Sequence, residues 1–83
     1  MQLELFPEDI RIERVDPDAN MYRIYRMRLQ SDLFGGCGLV REWGRIGAAG
    51  RQLIDLFEDE GQAVDALAKI MRTKQLRGYR ETV

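Results

Sequence analysis

The sequence predicts an α+β fold, a mainly antiparallel and twisted sheet of about four or five strands with one helix packed on it. Three observations lead there. Short runs between residues 10 and 57 alternate apolar with charged or polar residues, the two-residue period of half-buried strands. Asp16-Pro17-Asp18-Ala19-Asn20, Gly35-Gly36 and Gly47-Ala48-Ala49-Gly50 separate those runs and have the composition of turns. Beyond Glu58, Ala63, Leu67, Ile70 and Met71 recur at helical spacing and make one apolar stripe.

Taken in order, residues 1–9 read as a flexible N-terminal arm in which Leu3, Leu5 and Phe6 can dock and Pro7 breaks regularity. Residues 10–83 read as a single domain. Ile10-Arg11-Ile12-Glu13-Arg14-Val15 alternates as a strand should, with one slip at Glu13-Arg14. In Tyr22–Gln30, Tyr25, Met27 and Leu29 share a core face, while Arg26, Arg28 and Gln30 share the other. Ser31 to Gly36 is a reversing loop, with Leu33 and Phe34 expected to tuck over the core's edge. Cys37–Ile46 is a third strand. Arg51–Phe57 is a fourth, with Leu53 and Phe57 on one face and Ile54 and Leu56 on the other, a pattern expected of a strand covered on both sides. The helix is expected from Asp59 to about Lys74, capped by Asp59 with Gln62 three residues on. Its acids come early and its bases late, as the helix dipole favours. Gly78 is expected to end it and let Tyr79-Arg80 lie against the sheet.

Composition excludes several function classes. The 83 residues suit one small domain, and 45% hydrophobic with 33% charged residues is ordinary for a soluble chain. No apolar run approaches the roughly 20 residues that span a bilayer, and the N-terminus lacks the features of a secretion signal, so a cytoplasmic placement without membrane contact is expected. The single cysteine, Cys37, fits a reducing compartment. With no histidine and one cysteine, a typical structural zinc site and a Ser-His-Asp or Cys-His nucleophile are excluded. Glu58-Asp59-Glu60 is better explained by capping than by catalysis. The chain reads as a non-enzyme with no cofactor.

The formal net charge of −1 argues against a strong nonspecific nucleic-acid binder. Its distribution is blockwise. Arg23, Arg26, Arg28, Arg41, Arg45 and Arg51 form one basic block, and Lys69, Arg72, Lys74, Arg77 and Arg80 form a second, each preceded by an acidic block. A local positive surface survives a near-neutral total if the fold brings the two basic blocks together.

Chemistry concentrates in Leu39-Val40-Arg41-Glu42-Trp43-Gly44-Arg45-Ile46-Gly47, around the chain's one tryptophan. On a strand, Arg41, Trp43 and Arg45 stand in a row, and Gly44 leaves room for a backbone or ligand to approach closely. Such a row stacks on a base or sugar while its guanidiniums hold phosphate. It serves equally well as a structural cation–π ladder, and from spacing alone that reading leads, since most single tryptophans are packing residues. If Tyr22–Gln30 pairs with Cys37–Ile46 as a hairpin, Arg26 or Arg28 extends the row sideways.

Trp43-Gly44-Arg45 with Ile46-Gly47 and Gly50 resembles the WGR domain, which takes its name from that tripeptide. Asn20-Met21, Tyr25-Arg26, Asp32-Leu33-Phe34-Gly35-Gly36 and Leu39-Val40-Arg41-Glu42 resemble its small bacterial members, as do Ala63, Leu67, Lys74 and Gly78-Tyr79. The likeness runs from Asn20 to Tyr79, and Cys37 departs from it where an aromatic residue is expected. WGR domains also occur in poly(ADP-ribose) polymerases, where they help sense DNA breaks by contacting the backbone near a strand end; here the module reads as standing alone. The resemblance implies a DNA-binding module that prefers ends, nicks or gaps. Trp43 then stacks, Arg45 and Arg41 hold adjacent phosphates, and Arg26, Lys74 and Arg77 add weaker backbone contacts. Without a recognition helix for the major groove, little sequence specificity is expected. The alternative is an interaction adaptor whose Trp43/Arg45 face docks a protein partner in a DNA-repair or regulatory assembly, since Trp and Arg are enriched at interface hot spots.

Overall fold

The structure, a computed structural model, describes residues 9–31 and 34–81. Strand β1 (Ile10–Asp16) leads through a 3-10 turn at Pro17–Ala19 into β2 (Met21–Ser31), followed by β3 (Cys37–Arg45) and β4 (Arg51–Phe57). Helix α1 (Glu60–Leu76) then crosses the sheet, and a two-residue β5 (Arg80–Glu81) completes it. The sheet order is β4-β3-β2-β1-β5, with every neighbouring pair antiparallel. The expected α+β class holds, with β5 as the fifth strand.

Register decides what each face carries. Tyr25 lies opposite Ile12 on one side and Trp43 on the other, and Met27 lies opposite Ile10 and Arg41. Ile10, Ile12, Tyr25, Met27, Leu39, Arg41 and Trp43 therefore share a face, because directly paired residues point the same way. Helix α1 lays Ala63 and Leu67 on it, and Tyr79 closes the core beside them. Arg26, Arg28, Val40, Glu42 and Ile54 point to the opposite face.

The sequence supplies both helix ends. Asp59 is extended and its Oδ1 accepts the Gln62 N–H at 2.9 Å. The reciprocal bond of a capping box goes one residue further back, from the Glu58 N–H to Gln62 Oε1 at 3.3 Å. At the other end Gly78 takes a φ of 98° and donates to the Gln75 carbonyl, while the Tyr79 N–H reaches back to the Lys74 carbonyl, both at 3.0 Å. This pair of bonds is a Schellman cap. It turns the chain so that Tyr79 is buried and Arg80 pairs with Glu13 of β1.

Two expectations are corrected. Strand β4 is a sheet edge rather than a strand covered on both sides: Leu53, Ile54 and Leu56 are 44%, 51% and 83% exposed. One helix covers one face, and β4 is last in the strand order. Phe34 is 94% exposed rather than tucked over the core, while Leu33 and the arm at residues 1–8 lie outside the described residues. Asp9, grouped with that arm in the sequence reading, ion-pairs with Arg26.

The glycine of Trp43-Gly44-Arg45 serves a backbone crossing. A Cβ on Gly44 would stand 2.9 Å from the Gly50 Cα, and one on Gly50 would overlap the Trp43 carbonyl oxygen. The turn after β3 thus folds back onto the strand with no room for a methyl group. Gly50→Ala is expected to cost about 1–3 kcal/mol in chemical denaturation, the range for overpacking, because rigid backbone must move to admit it.

Candidate nucleic-acid interface

Where α1 ends above β2 and β3, three aromatic rings and several cations meet. Tyr25 and Trp43, opposite each other across the β2–β3 ladder, stack with centroids 5.9 Å apart and planes 17° from parallel. Lys74, in the last turn of α1, reaches down so that its Nζ lies 4.4 Å from the Tyr25 centroid and 5.3 Å from that of Tyr79. Trp43 packs against the core yet stays partly open to solvent, so α1 does not seal it. Tyr25 is buried at the centre, and its hydroxyl accepts from Arg41 Nη1 at 3.2 Å.

The arginines flanking the tryptophan are each tied down. Arg41 lies 5.9 Å from the indole centroid, and its Nη2 pairs with Asp55 of β4 at 2.9 Å. Burial works against the Arg41 charge, but the Tyr25 hydroxyl and the Asp55 carboxylate more than offset it and raise its pKa. Arg45 swings to the end of the sheet. There its guanidinium covers the Tyr22 ring at 5.0 Å and donates to the backbone carbonyl and side-chain oxygen of Asn20, each at 3.3 Å. Asn20 is held in the left-handed region at φ 52°, with its N–H on the Pro17 carbonyl. Beside Arg45, Asn20 to Arg23 and Gly44 line an open cleft of about 350 Å³.

Lys74 is the electrostatic centre. Partial burial, then the nearby charges of Arg77, Arg23 and Arg41, lower its pKa from the usual lysine value. The charged side chains acting on it come from both basic blocks of the sequence, which the fold thus unites in spite of the near-neutral total. Of these cations Arg41 is paired with Asp55, and the crowding of positive charge around Lys74 favours a bound anion. An anionic ligand at this point restores the Lys74 pKa. Binding at pH values near the lowered free-state pKa is therefore expected to take up protons, and affinity to fall as pH rises through that value. A pH titration of the Lys74 side chain by NMR, with and without ligand, checks both signs.

Arg26 does not join the group. With Tyr25 opposite Trp43, Arg26 falls opposite Glu42 on the other face, where it bonds Asp9 at 2.9 Å and its pKa is raised by that hydrogen bond. Arg28 shares that face, so neither extends the row sideways. Arg23, opposite Arg45, is the β2 arginine on the Trp43 side. Arg77 caps the C-terminus of α1 next to Lys74. Sequence reasoning did not place Arg23 and Tyr25 on the Trp43 face; the signal available was that both share strand parity, so whichever face takes one takes the other. Cys37 is buried at the far end of β3, opposite Phe57, and contributes nothing to this surface. Among the described residues no group of His, Cys, Asp and Glu is arranged to hold a metal ion, and no helix is long and apolar enough to cross a membrane.

Comparison with known proteins adds two findings. Residues 8–83 match the WGR domain family. The uncharacterized protein y4dW of Sinorhizobium fredii (strain NBRC 101917 / NGR234) is 42% identical over 74 residues, which cover 89% of this chain and 36% of that protein. The chain thus spans about a third of the length of that relative. No solved structure gives a significant match.

Proposed function

This chain belongs to the WGR domain family, and from that premise we propose that it binds the backbone of broken DNA, at ends, nicks or gaps, with little sequence specificity. WGR domains are nucleic-acid-binding modules rather than catalytic ones. The observation that carries the reading is the placement of Lys74, a lysine with its pKa lowered by burial and by three arginines, over a Tyr25–Trp43 stack. Lys74, Arg77 and Arg23 supply the phosphate contacts, and Arg45 supplies another at the sheet end. Trp43 offers a partly open aromatic surface for a sugar or base. An intact duplex keeps its base faces covered, so that contact is gained where a strand is interrupted.

Two of the residues expected from sequence change roles. Arg41 positions Tyr25 and Trp43, since its guanidinium is committed to Asp55 and the Tyr25 hydroxyl. Arg26 falls outside the interface. Helix α1 lies flat on the sheet with its apolar stripe down, so it is not presented for insertion into a groove, and base readout has no obvious donor.

Fluorescence anisotropy with nicked, blunt and intact duplex at two salt concentrations tests the proposal. Nicked and blunt duplex are expected to bind more tightly than intact, and log K to fall against log salt with a slope of about −3 to −4 for four phosphate contacts. Trp43→Ala is expected to weaken binding about tenfold or more, a stacking contact being worth about 1–3 kcal/mol. No binding to any duplex at low salt would overturn the proposal in favour of a protein partner on the Trp43/Arg45 face.

A further inference from the structure

The two edges of the sheet differ in kind. One is β5, two residues long and fully charged in sequence, Arg80-Glu81. The other is β4, seven residues with neither proline nor lysine, and with Leu53, Ile54 and Leu56 all exposed. Sheet edges are normally blunted by short strands, charges or bulges, because unpaired backbone groups recruit another strand. Among the described residues the β5 edge is short and wholly charged, whereas the β4 edge is long and mixes two charges with exposed leucine and isoleucine.

The charges on β4 say what covers it. Arg51, Leu53 and Asp55 lie on the α1 face, opposite Trp43, Arg41 and Leu39 respectively. When two copies of β4 pair antiparallel about a two-fold axis, paired residues must share a face, so the axis passes through a residue. Centred on Leu53, the arrangement sets Arg51 of each copy against Asp55 of the other and packs Leu53 on itself. Centred on Asp55 it opposes two carboxylates; centred on Ile54 it sets Asp55 against Leu53 and leaves Arg51 facing Phe57. One register therefore satisfies both charges twice over. Asp55 already holds Arg41 at 2.9 Å, and a carboxylate has acceptor capacity for a second guanidinium.

We infer that the β4 edge is a self-association surface, joining two copies of this chain through antiparallel β4 strands in the Leu53-centred register. The two sheets become one sheet of ten strands. Because the axis stands perpendicular to the sheet, both Trp43 surfaces face the same side, roughly 20 Å apart from strand and residue spacings. The inference rests on the edge and its charges and is independent of the ligand proposed above.

Sedimentation equilibrium of the full chain without nucleic acid, from micromolar to millimolar concentration, tests it. A monomer–dimer equilibrium is expected. Leu53→Lys places two ammonium groups against each other at the axis and is expected to weaken the dimer about tenfold or more. Arg51→Asp and Asp55→Arg are each expected to weaken self-association, yet a mixture of the two restores dimers, since every facing pair is then opposite in sign. Circular dichroism reports folding, and should Asp55→Arg unfold by freeing Arg41, Leu53→Lys decides alone. A chain that stays monomeric throughout, or a dimer indifferent to Leu53→Lys, overturns the inference.

Discussion

Lys74→Glu is expected to weaken binding to nicked duplex by roughly thirty- to a hundredfold, with no loss of fold stability. The two effects part company because the cluster is arranged for a ligand. In the free protein partial burial, and then the charges of Arg77, Arg23 and Arg41, push the pKa of the ammonium down. A carboxylate there stands near the positive charges of Arg77 and Arg23, which offsets the loss of the contacts to Tyr25 and Tyr79. Against DNA the signs reverse. A hydrogen bond to a charged group, worth about 1.5–3 kcal/mol, is lost and replaced by repulsion of the phosphate. The salt slope is expected to fall by about one unit. Lys74→Met, which keeps a long side chain over the tyrosines, is expected to lose about tenfold, and melting curves for all three proteins separate binding from folding. Equal affinity for Lys74→Glu and the parent protein would remove Lys74 from the interface.

The largest expected loss of stability comes from Leu67→Ala, about 2–5 kcal/mol in urea denaturation. Leu67 is 4% exposed and sits where α1 meets Ile12, Met27, Leu39 and their neighbours in the core cluster. A domain of this size has a stability of only about 5 kcal/mol to lose, so much of the variant should be unfolded at ordinary temperature. Since α1 also carries Lys74 and Arg77, binding should fall in proportion to the folded fraction. Ala68, on the same helix but exposed, is the control; Ala68→Ser is expected to cost less than about 1 kcal/mol.

Local chemistry was legible in the sequence, as was the β2–β3 hairpin, and the register of the strands was not. The Asp59 cap, the Ala63–Leu67–Ile70–Met71 stripe and the Gly78 ending follow from residues close together in the chain, and α1 runs from Glu60 to Leu76 much as they predict. The parity of Tyr25, Met27 and Leu29 was equally plain. What parity alone does not supply is register: a shift of one residue exchanges the faces of a strand. Arg26 is therefore expected beside Trp43, whereas Arg23, opposite Arg45, is the arginine that shares its face; Arg41 is expected on phosphate, whereas it pairs with Asp55 two strand positions away across β3–β4. From the sequence, Gly44 leaves room for a backbone or a ligand. The structure fills that room with Gly50, a contact between residues six apart that no local pattern announces. The edge position of β4 escaped for a related reason, since Leu53-Ile54-Asp55-Leu56-Phe57 has the apolar density of an interior strand.

The central claim is that nucleic acid lands on the face where Lys74 covers the Tyr25–Trp43 stack. The most direct measurement is an NMR titration of the labelled chain with nicked duplex, following the Trp43 indole N–H, the Lys74 side chain and every backbone amide. Saturable shifts are expected at Trp43, Lys74, Arg23, Arg45 and Arg77, with Arg26, Arg28 and Val40 on the opposite face unmoved. Shifts confined to that opposite face, with the indole signal unchanged at saturation, would contradict it.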